Sequence, residues 1–347
     1  MSWKLLPVGR FAEIQSQWQT LNARSGDTPV LHPDFVAPLL DIFASDTERL
    51  AVLEAAEGPA AMTVLTRRNG IGWQSFQPAN APIGLWVCDL ALPMPEMLQR
   101  LVRSLPGPVG LLGLLQLDPE IAPRPPERGG LSTLDYIETA RVSVDASFEE
   151  YWGRRGKNLR RNMKRQHTQL ERDGIKTRLE ILRSPAQMPQ AIADYARLEG
   201  AGWKQEIGTA VGRDDPQSRF YTEMMQRFSS NGRGSAFRYF YNDDLVATDL
   251  CIEHGGIFVI LKTTYDEAIR KTSPAQLMRQ EMFETIFEEG RLRRIEFYGR
   301  VMDWHRQWTE EIRTLYHVNQ YRWPLLRSAH QLAGRVATAR RRSTASP

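Results

Sequence analysis

The sequence predicts a mixed α/β (α+β) chain of two similar halves, each a mostly antiparallel sheet flanked by helices. Three observations predict it. Apolar, β-branched runs of strand length alternate with longer runs of helical period. A three-strand meander occurs twice with one internal spacing, Gly58 to Gly70 and Asp244 to Gly256. In the second half a strand leads through a short polar loop into a helix opened by Ser273-Pro274-Ala275-Gln276.

Each element follows from local chemistry. A helix is expected near 35–43. The first meander then runs through 50–55, 60–66 and 71–76, turning at Glu57-Gly58 and Asn69-Gly70. A helix near 95–104 and a strand over 109–117 complete the first copy. The Pro-rich stretch 122–130 reads as a surface loop or domain junction. After it come a strand near 140–144 and one long helix from about 147 to 172. The second meander covers 236–241, 245–254 and 257–264, with turns at Asp243-Asp244 and Gly255-Gly256. A helix and a strand near 294–298 follow it, as in the first copy. The pattern suggests an internal duplication, although hairpins of this length also arise independently. The first copy offers little charge at its corresponding loop, Ala79 to Gly84, and reads as degenerate.

Composition bounds the class. At 347 residues the chain holds two domains of ordinary size, and 41% hydrophobic with 25% charged residues is a globular balance. A net charge of +4 is too small to announce nucleic acid. Cys88 and Cys251 are the two cysteines, too few for a disulfide framework or a Cys-based zinc site, so a reducing compartment is expected and no metal. The first residues lack the apolar core of a signal peptide and no run approaches a membrane span. Cytoplasm is the expected location.

The most informative stretch is Ile260 to Met278. A β-branched run ends at Tyr265-Asp266, a loop with Arg270 and Lys271 follows, and Ser273, Pro274 and Gln276 spell an N-cap, a first-turn proline and a capping box. Strand, short loop and helix N-terminus form an anion site from backbone. The bland reading is a well-capped helix after a strand, with no ligand. A basic segment holds Arg154, Arg155, Lys157, Arg160, Arg161, Lys164 and Arg165, with Phe148, Trp152, Leu159, Met163 and Leu170 as an inward stripe. It reads as a solvated face or as a site for phosphate, transfer RNA or anionic lipid.

Five segments in order carry a family resemblance. Ser147-Phe148-Glu149-Glu150-Tyr151-Trp152 leads into Lys157-Asn158-Leu159-Arg160-Arg161-Asn162. Glu199-Gly200-Ala201-Gly202-Trp203-Lys204 is followed by Gly208-Thr209-Ala210. Leu261-Lys262-Thr263-Thr264-Tyr265-Asp266 precedes Ser273-Pro274-Ala275, and Gly299-Arg300-Val301-Met302-Asp303-Trp304-His305-Arg306-Gln307-Trp308 closes the series. Over roughly 145–325 the chain resembles the GNAT superfamily, in its CelD-like (BcsL-type, BioF2-like acetyltransferase) branch. That branch is related to the Fem-type transferases with two tandem GNAT folds. The family usually has Gly where Ala275 stands and often Lys at His305.

The resemblance implies tandem GNAT folds, with a degenerate copy over 1–135 and a catalytic copy over 136–325; the residues of 326–347 themselves read as a basic amphipathic tail. It implies acyl-CoA as co-substrate, held by Lys262, Thr263, Thr264, Arg270, Lys271, Ser273, Ala275 and Gln276. Tyr265, Asp266 and His305 are the implied catalytic candidates, and Glu199, Trp203, Lys204, Asp249 and Trp304 the acceptor side. Each has a bland counterpart: Tyr265-Asp266 as a strand end, His305 as a packing histidine, Glu199 and Lys204 as a helical ion pair, Asp249 as a wet strand face. The expected acceptor is an amine or hydroxyl on an envelope polysaccharide, a lipid or a small molecule, with peripheral membrane contact. A Fem-like transferase using aminoacyl-tRNA, an N-acyltransferase of a sphingoid-type amine and an inactive scaffold in polysaccharide synthesis are the alternatives; nucleic acid enters only through the first.

Overall fold

A computed structural model describes residues 1–68, 70–200 and 215–328. The chain divides into two compact units, each gathering separated segments: 1–26, 44–137 and 314 onward form the first, 27–43 and 138–313 the second.

The first unit contains β1 (Ser2–Pro7), α1 (Phe11–Ser25), β2 (Arg49–Ala55), β3 (Gly58–Arg68), β4 (Gly72–Ser75), β5 (Trp86–Cys88), α3 (Met94–Ser104) and β6 (Leu111–Leu117). Helix α2 (Pro33–Phe43) belongs to the second unit. The strand order is β1-β2-β3-β4-β6, extended by β13 (Ile312–Tyr321), with β5 added to β3. Among the described residues β4 and β6 pair in parallel, while β1–β2, β2–β3, β3–β4, β3–β5 and β6–β13 are antiparallel. The core lies between this sheet and α3, whose Met97, Leu98, Leu101 and Val102 face inward at helical spacing.

The second unit adds α4 (Phe148–Arg154), α5 (Lys157–Arg172), β8 (Thr177–Leu182), α6 (Met188–Gly200), α7 (Pro216–Ser230), β9 (Gly234–Tyr241), β10 (Asp244–His254), β11 (Ile257–Tyr265), α8 (Pro274–Glu289), β12 (Arg294–Glu296) and α9 (Asp303–Trp308). Its strand order is β8-β9-β10-β11-β12, extended by the end of β7 (Leu131–Ser143). Again one pair is parallel, β11 with β12. The order of strands, the place of the parallel pair and the helix joining its members repeat the first unit, so the duplication expected from the turn spacing is present. The β10–β11 turn uses Gly255 and Gly256 at φ 56° and 73°, and a Cβ on Gly255 would stand 2.5 Å from the Asp27 carbonyl, so glycine is required.

The single helix expected over 147–172 is two. The Ser147–Glu150 capping box starts α4, but Arg155 turns extended and Gly156 becomes the N-cap of α5. The break has a tertiary cause: extended Arg155 bonds the Trp308 carbonyl through Nη1 at 2.9 Å, beside Tyr151 Oη at 2.8 Å. Leu159, Met163 and Leu170 of α5 are buried as their spacing predicts.

Candidate functional site

The site arises where two paired strands part. β11 is paired to β10 along its length to Tyr265, but its ladder with β12 covers only Ile257 to Val259. Strand β12 stops because Tyr298 adopts φ 48°, which turns the chain away. Residues 260–265 thus keep one edge outside the ladder, facing a cavity of about 720 Å³. Phe297, Gly299, Met302, Trp304 and His305 line the opposite wall. A β-bulge sharpens the divergence: Leu250 faces Lys262 and Cys251 faces Ile260, so Leu261 is the extra residue. A strand edge bordering a cavity supplies amide donors and acceptors to any extended ligand that lies along it.

At the far end of β11 the loop follows the sequence reading in place, though not in detail. Asp266 accepts from Ala268 N–H at 2.9 Å and starts a short 3₁₀ turn (Glu267–Thr272). Ser273 then sits at φ 55°, in the left-handed region that a residue with a Cβ occupies only at a cost. In that conformation its hydroxyl makes no cap bond, so the capping box expected from Ser273 and Gln276 does not form. Gln276 instead accepts from Trp308 Nε1 at 2.5 Å. Gln276 and Leu277 N–H groups bond the Ser273 carbonyl, whereas Ala275 N–H has no acceptor among the described residues. The loop is fixed from outside: Gln166 of α5 donates to the Lys271 carbonyl at 3.0 Å, and Tyr241 Oη donates to the Thr272 carbonyl at 3.3 Å. Arg270 lines the cavity beside Ser273, Pro274 and Ala275. A positive helix end, an open N–H and a guanidinium together suit an anion.

The floor is a buried ion pair. Arg279, 2% exposed, lines the cavity and stacks 4.3 Å from the Trp304 ring; its Nη2 is 3.3 Å from Thr263 Oγ1 and 3.6 Å from Asp249 Oδ2. Asp249 is fully buried. Burial raises its carboxyl and lowers the Arg279 guanidinium, each partly opposed by the other's charge. An unpaired charge here would cost several kcal/mol, so each holds the other in place.

Thr263 faces α8 through Arg279, while Lys262 faces the opposite side, its Nζ 5.4 Å from the Tyr221 ring of α7. Burial lowers the Lys262 amine, against the pull of Glu199 and Asp215. Glu199 itself lies behind the wall and accepts from Tyr195 Oη at 2.7 Å; Tyr195 lines the cavity. His305 stacks on Trp304 with centroids 3.5 Å apart and is 4% exposed. Burial, with Arg279 nearby, lowers it to about 4. Its Nδ1 accepts from Met302 N–H at 2.9 Å, which leaves the ring proton on Nε2. In this state His305 is a neutral donor and not the base its ordinary pKa suggests.

The structure therefore gathers Lys262, Thr263, Thr264, Tyr265, Arg270, Ser273, Ala275, Gln276, Trp304 and His305 around one cavity. Asp266 is not among its lining residues; it borders a second depression with Asp243 and Asp244. Lys271 contributes its carbonyl to the loop anchor, and Asp249 lies under the floor. Trp203 and Lys204 lie outside the described residues. Arg279, Tyr195 and Gln166 are the side chains that sequence reasoning missed. Arg279 had a signal: it falls on the inward stripe of α8 beside Met278, Met282 and Phe283, where a charge needs a partner. Among the described residues no group of three or more His, Cys, Asp or Glu is placed to hold a metal ion.

The corresponding parting in the first unit is closed by its own chain. Ser75 Oγ accepts from Leu115 N–H at 2.9 Å, Gly84 N–H bonds the Gln116 carbonyl at 2.8 Å, and Gln77 Nε2 reaches Gln116 Oε1 at 3.2 Å. A Cβ on Gly84 would lie 2.1 Å from the Leu115 carbonyl oxygen. Backbone fills the space that the second unit leaves open.

Residues 157–306 match the family model of the acetyltransferase (GNAT) domain. None of the curated proteins matches the chain in sequence. Among solved structures, the C-terminal domain of a protein assigned as a lysylphosphatidylglycerol synthetase from Agrobacterium fabrum superposes with TM-score 0.56 at 14% identity, over 89% of this chain and 92% of that one. L-PGS from Bacillus licheniformis gives 0.51 at 13%, over 92% and 96%. FemX gives 0.50 at 11%, over 94% and 99%. At such identities the likeness is one of fold.

Proposed function

We propose, from the premise that the second unit carries an acyltransferase domain of the GNAT type in a tandem arrangement, that the protein moves an acyl group from acyl-CoA to an amine or hydroxyl. The observation that carries this is the parting of β11 from β12 beside the 270–276 loop. A pantetheine arm is a short amide chain and fits along the edge of residues 260–265. The pyrophosphate then meets the α8 N-terminus and Arg270. The thioester carbonyl lies toward the bulge at Leu261, where backbone N–H groups can stabilise a developing oxyanion. The acceptor attacks the carbonyl carbon, the C–S bond breaks, and the thiolate takes up a proton. Neutral His305, through its Nε2–H, and Tyr265, through its hydroxyl, are donors along the cavity wall able to support that departure. Holding both reactants in one cavity supplies much of the acceleration.

The name of one structure of the same fold, the C-terminal domain of a protein assigned as a lysylphosphatidylglycerol synthetase, favours an acceptor with a lipid headgroup. An envelope polysaccharide precursor, the acceptor implied by the CelD-like resemblance, is the other acceptor class. The exposed basic residues Arg161, Lys164 and Arg165 of α5 favour a second reading in which aminoacyl-tRNA is the donor. Among the described residues no helix is long and apolar enough to cross a membrane.

Titration calorimetry with coenzyme A, acetyl-CoA, a long-chain acyl-CoA and charged tRNA decides the donor. Coenzyme A should bind, and Arg270→Gln should weaken it about tenfold, close to 1.4 kcal/mol. Binding of charged tRNA with no response to coenzyme A would reverse the choice of donor.

A further inference from the structure

Lys262 stands apart from the other cationic groups of the cavity. It follows the bulge residue Leu261 on β11, and alternation along the strand sends it away from Arg279 and toward α6 and α7. Arg279 has Asp249 as its ion-pair partner, and Arg270 belongs to the loop beside the α8 N-terminus. The Lys262 ammonium has no carboxylate within 4 Å among the described residues; its Nζ stands 5.4 Å from the Tyr221 ring, and Glu199 and Asp215 act on it from further off. A primary amine is thus held in the cavity wall, half-buried, one residue from the bulge.

We propose that Lys262 is a self-acylation site, whose Nζ takes the acyl group of a bound acyl thioester when no acceptor occupies the cavity. The proposal rests on the acyl-CoA reading of the site, because that reading places a thioester carbonyl beside the bulge. The step balances without a further reactant. The ammonium first loses one proton to solvent, the Nζ lone pair forms the C–N bond, and nitrogen gives up a second proton as the amide forms. The C–S bond breaks, and coenzyme A leaves as a thiolate that takes up this second proton. Burial lowers the Lys262 amine, which increases the share of free base. An amide does not transfer its acyl group onward as a thioester does, so the product is a stable mark and not an intermediate. It replaces a cation on the wall facing α6 and α7 with a neutral, bulkier group, and so closes the cavity to an acceptor. A high ratio of donor to acceptor would in this way switch the protein off.

The chain simplifies the test, since it has only seven lysines. The full-length protein is incubated with acetyl-CoA, without acceptor, and read by intact mass and peptide mapping; heat-denatured protein sets the level of non-specific chemical acetylation. The expected result is one acetyl group per chain, on Lys262, formed at least tenfold faster than on any other lysine and lost in denatured protein. Lys262→Arg and Lys262→Met should each abolish that adduct, with coenzyme A binding measured on the same samples. An adduct spread evenly over the lysines, or none while coenzyme A binds, overturns the proposal and leaves the donor reading standing. Failure of the folded protein to bind coenzyme A overturns both.

Discussion

His305 shows how a residue's chemistry is set by its surroundings more than by its type. In water its ring would change charge near neutral pH. Here it is stacked on Trp304, near the Arg279 guanidinium, and bound at Nδ1 by a backbone N–H, so it stays neutral to about 4. His32, buried near His254 and Arg233, is lowered further, to about 3. Both groups bind a proton more readily in the unfolded chain than in the folded one. Their contribution to stability is therefore complete above the unfolded value near 6.5 and is lost as pH falls toward the folded values. For His305 alone the loss amounts to about 3 kcal/mol. Thermal melts between pH 7 and pH 4 should show Tm falling through this window, and His305→Gln should flatten the fall. An unchanged slope in that variant would remove His305 from the account. Asp249, whose carboxyl is raised by burial, works in the opposite sense, which is why the variant is compared and not the raw profile.

At the scale of elements, the β11–loop–α8 unit carries the site, and its helix start differs from the one spelled by the sequence. Ser-Pro-Ala-Gln satisfies the rule for a capping box, yet left-handed Ser273 and the Trp308–Gln276 bond replace it. A local pattern states which bonds are available; the neighbours on α5, β9 and α9 select among them. Ala275 stands where the resembled family usually has glycine, and its N–H has no acceptor among the described residues. Its methyl group adds bulk beside that N–H at the cavity lining. Ala275→Gly should tighten coenzyme A a few-fold while lowering helix stability by about 0.5–1 kcal/mol. Calorimetry and melting on one sample measure both, and weaker binding without unfolding would show that the methyl group does not obstruct the ligand. The break between α4 and α5 has the same lesson. Nothing in the basic run forbids one helix, but Arg155 gains a bond to the Trp308 carbonyl by leaving it.

Across the whole molecule, two copies of one topology have separate fates. Each has a parallel pair joined through a helix, but only the pair β11–β12 borders an open cavity; the β4–β6 parting is filled by the 75–84 segment. The protein should accordingly bind one coenzyme A per chain, and calorimetric stoichiometry near two would contradict the closed first copy. The units also trade strands in sequence: the end of β7, which follows β6 in the chain, pairs with β12, while β13, which follows β12, pairs with β6. Truncating the chain at the Pro-rich stretch would therefore take β13 from the first unit and α2 from the second, while β7 would stay with β12.

The sequence alone determined the alternation of strands and helices, the duplication, and the place of the loop between β11 and α8. Those features rest on periodicity, turn residues and short-range capping chemistry, which act over a few neighbouring residues. Only the tertiary structure decided that Arg279 floors the cavity on Asp249, that His305 is a neutral donor, that Asp266 lies outside the cavity lining, and that Lys262 faces away from the α8 side. Each of these depends on groups dozens of residues apart that meet through burial. A buried charge or ring is governed by its few contacts, and no local pattern lists them.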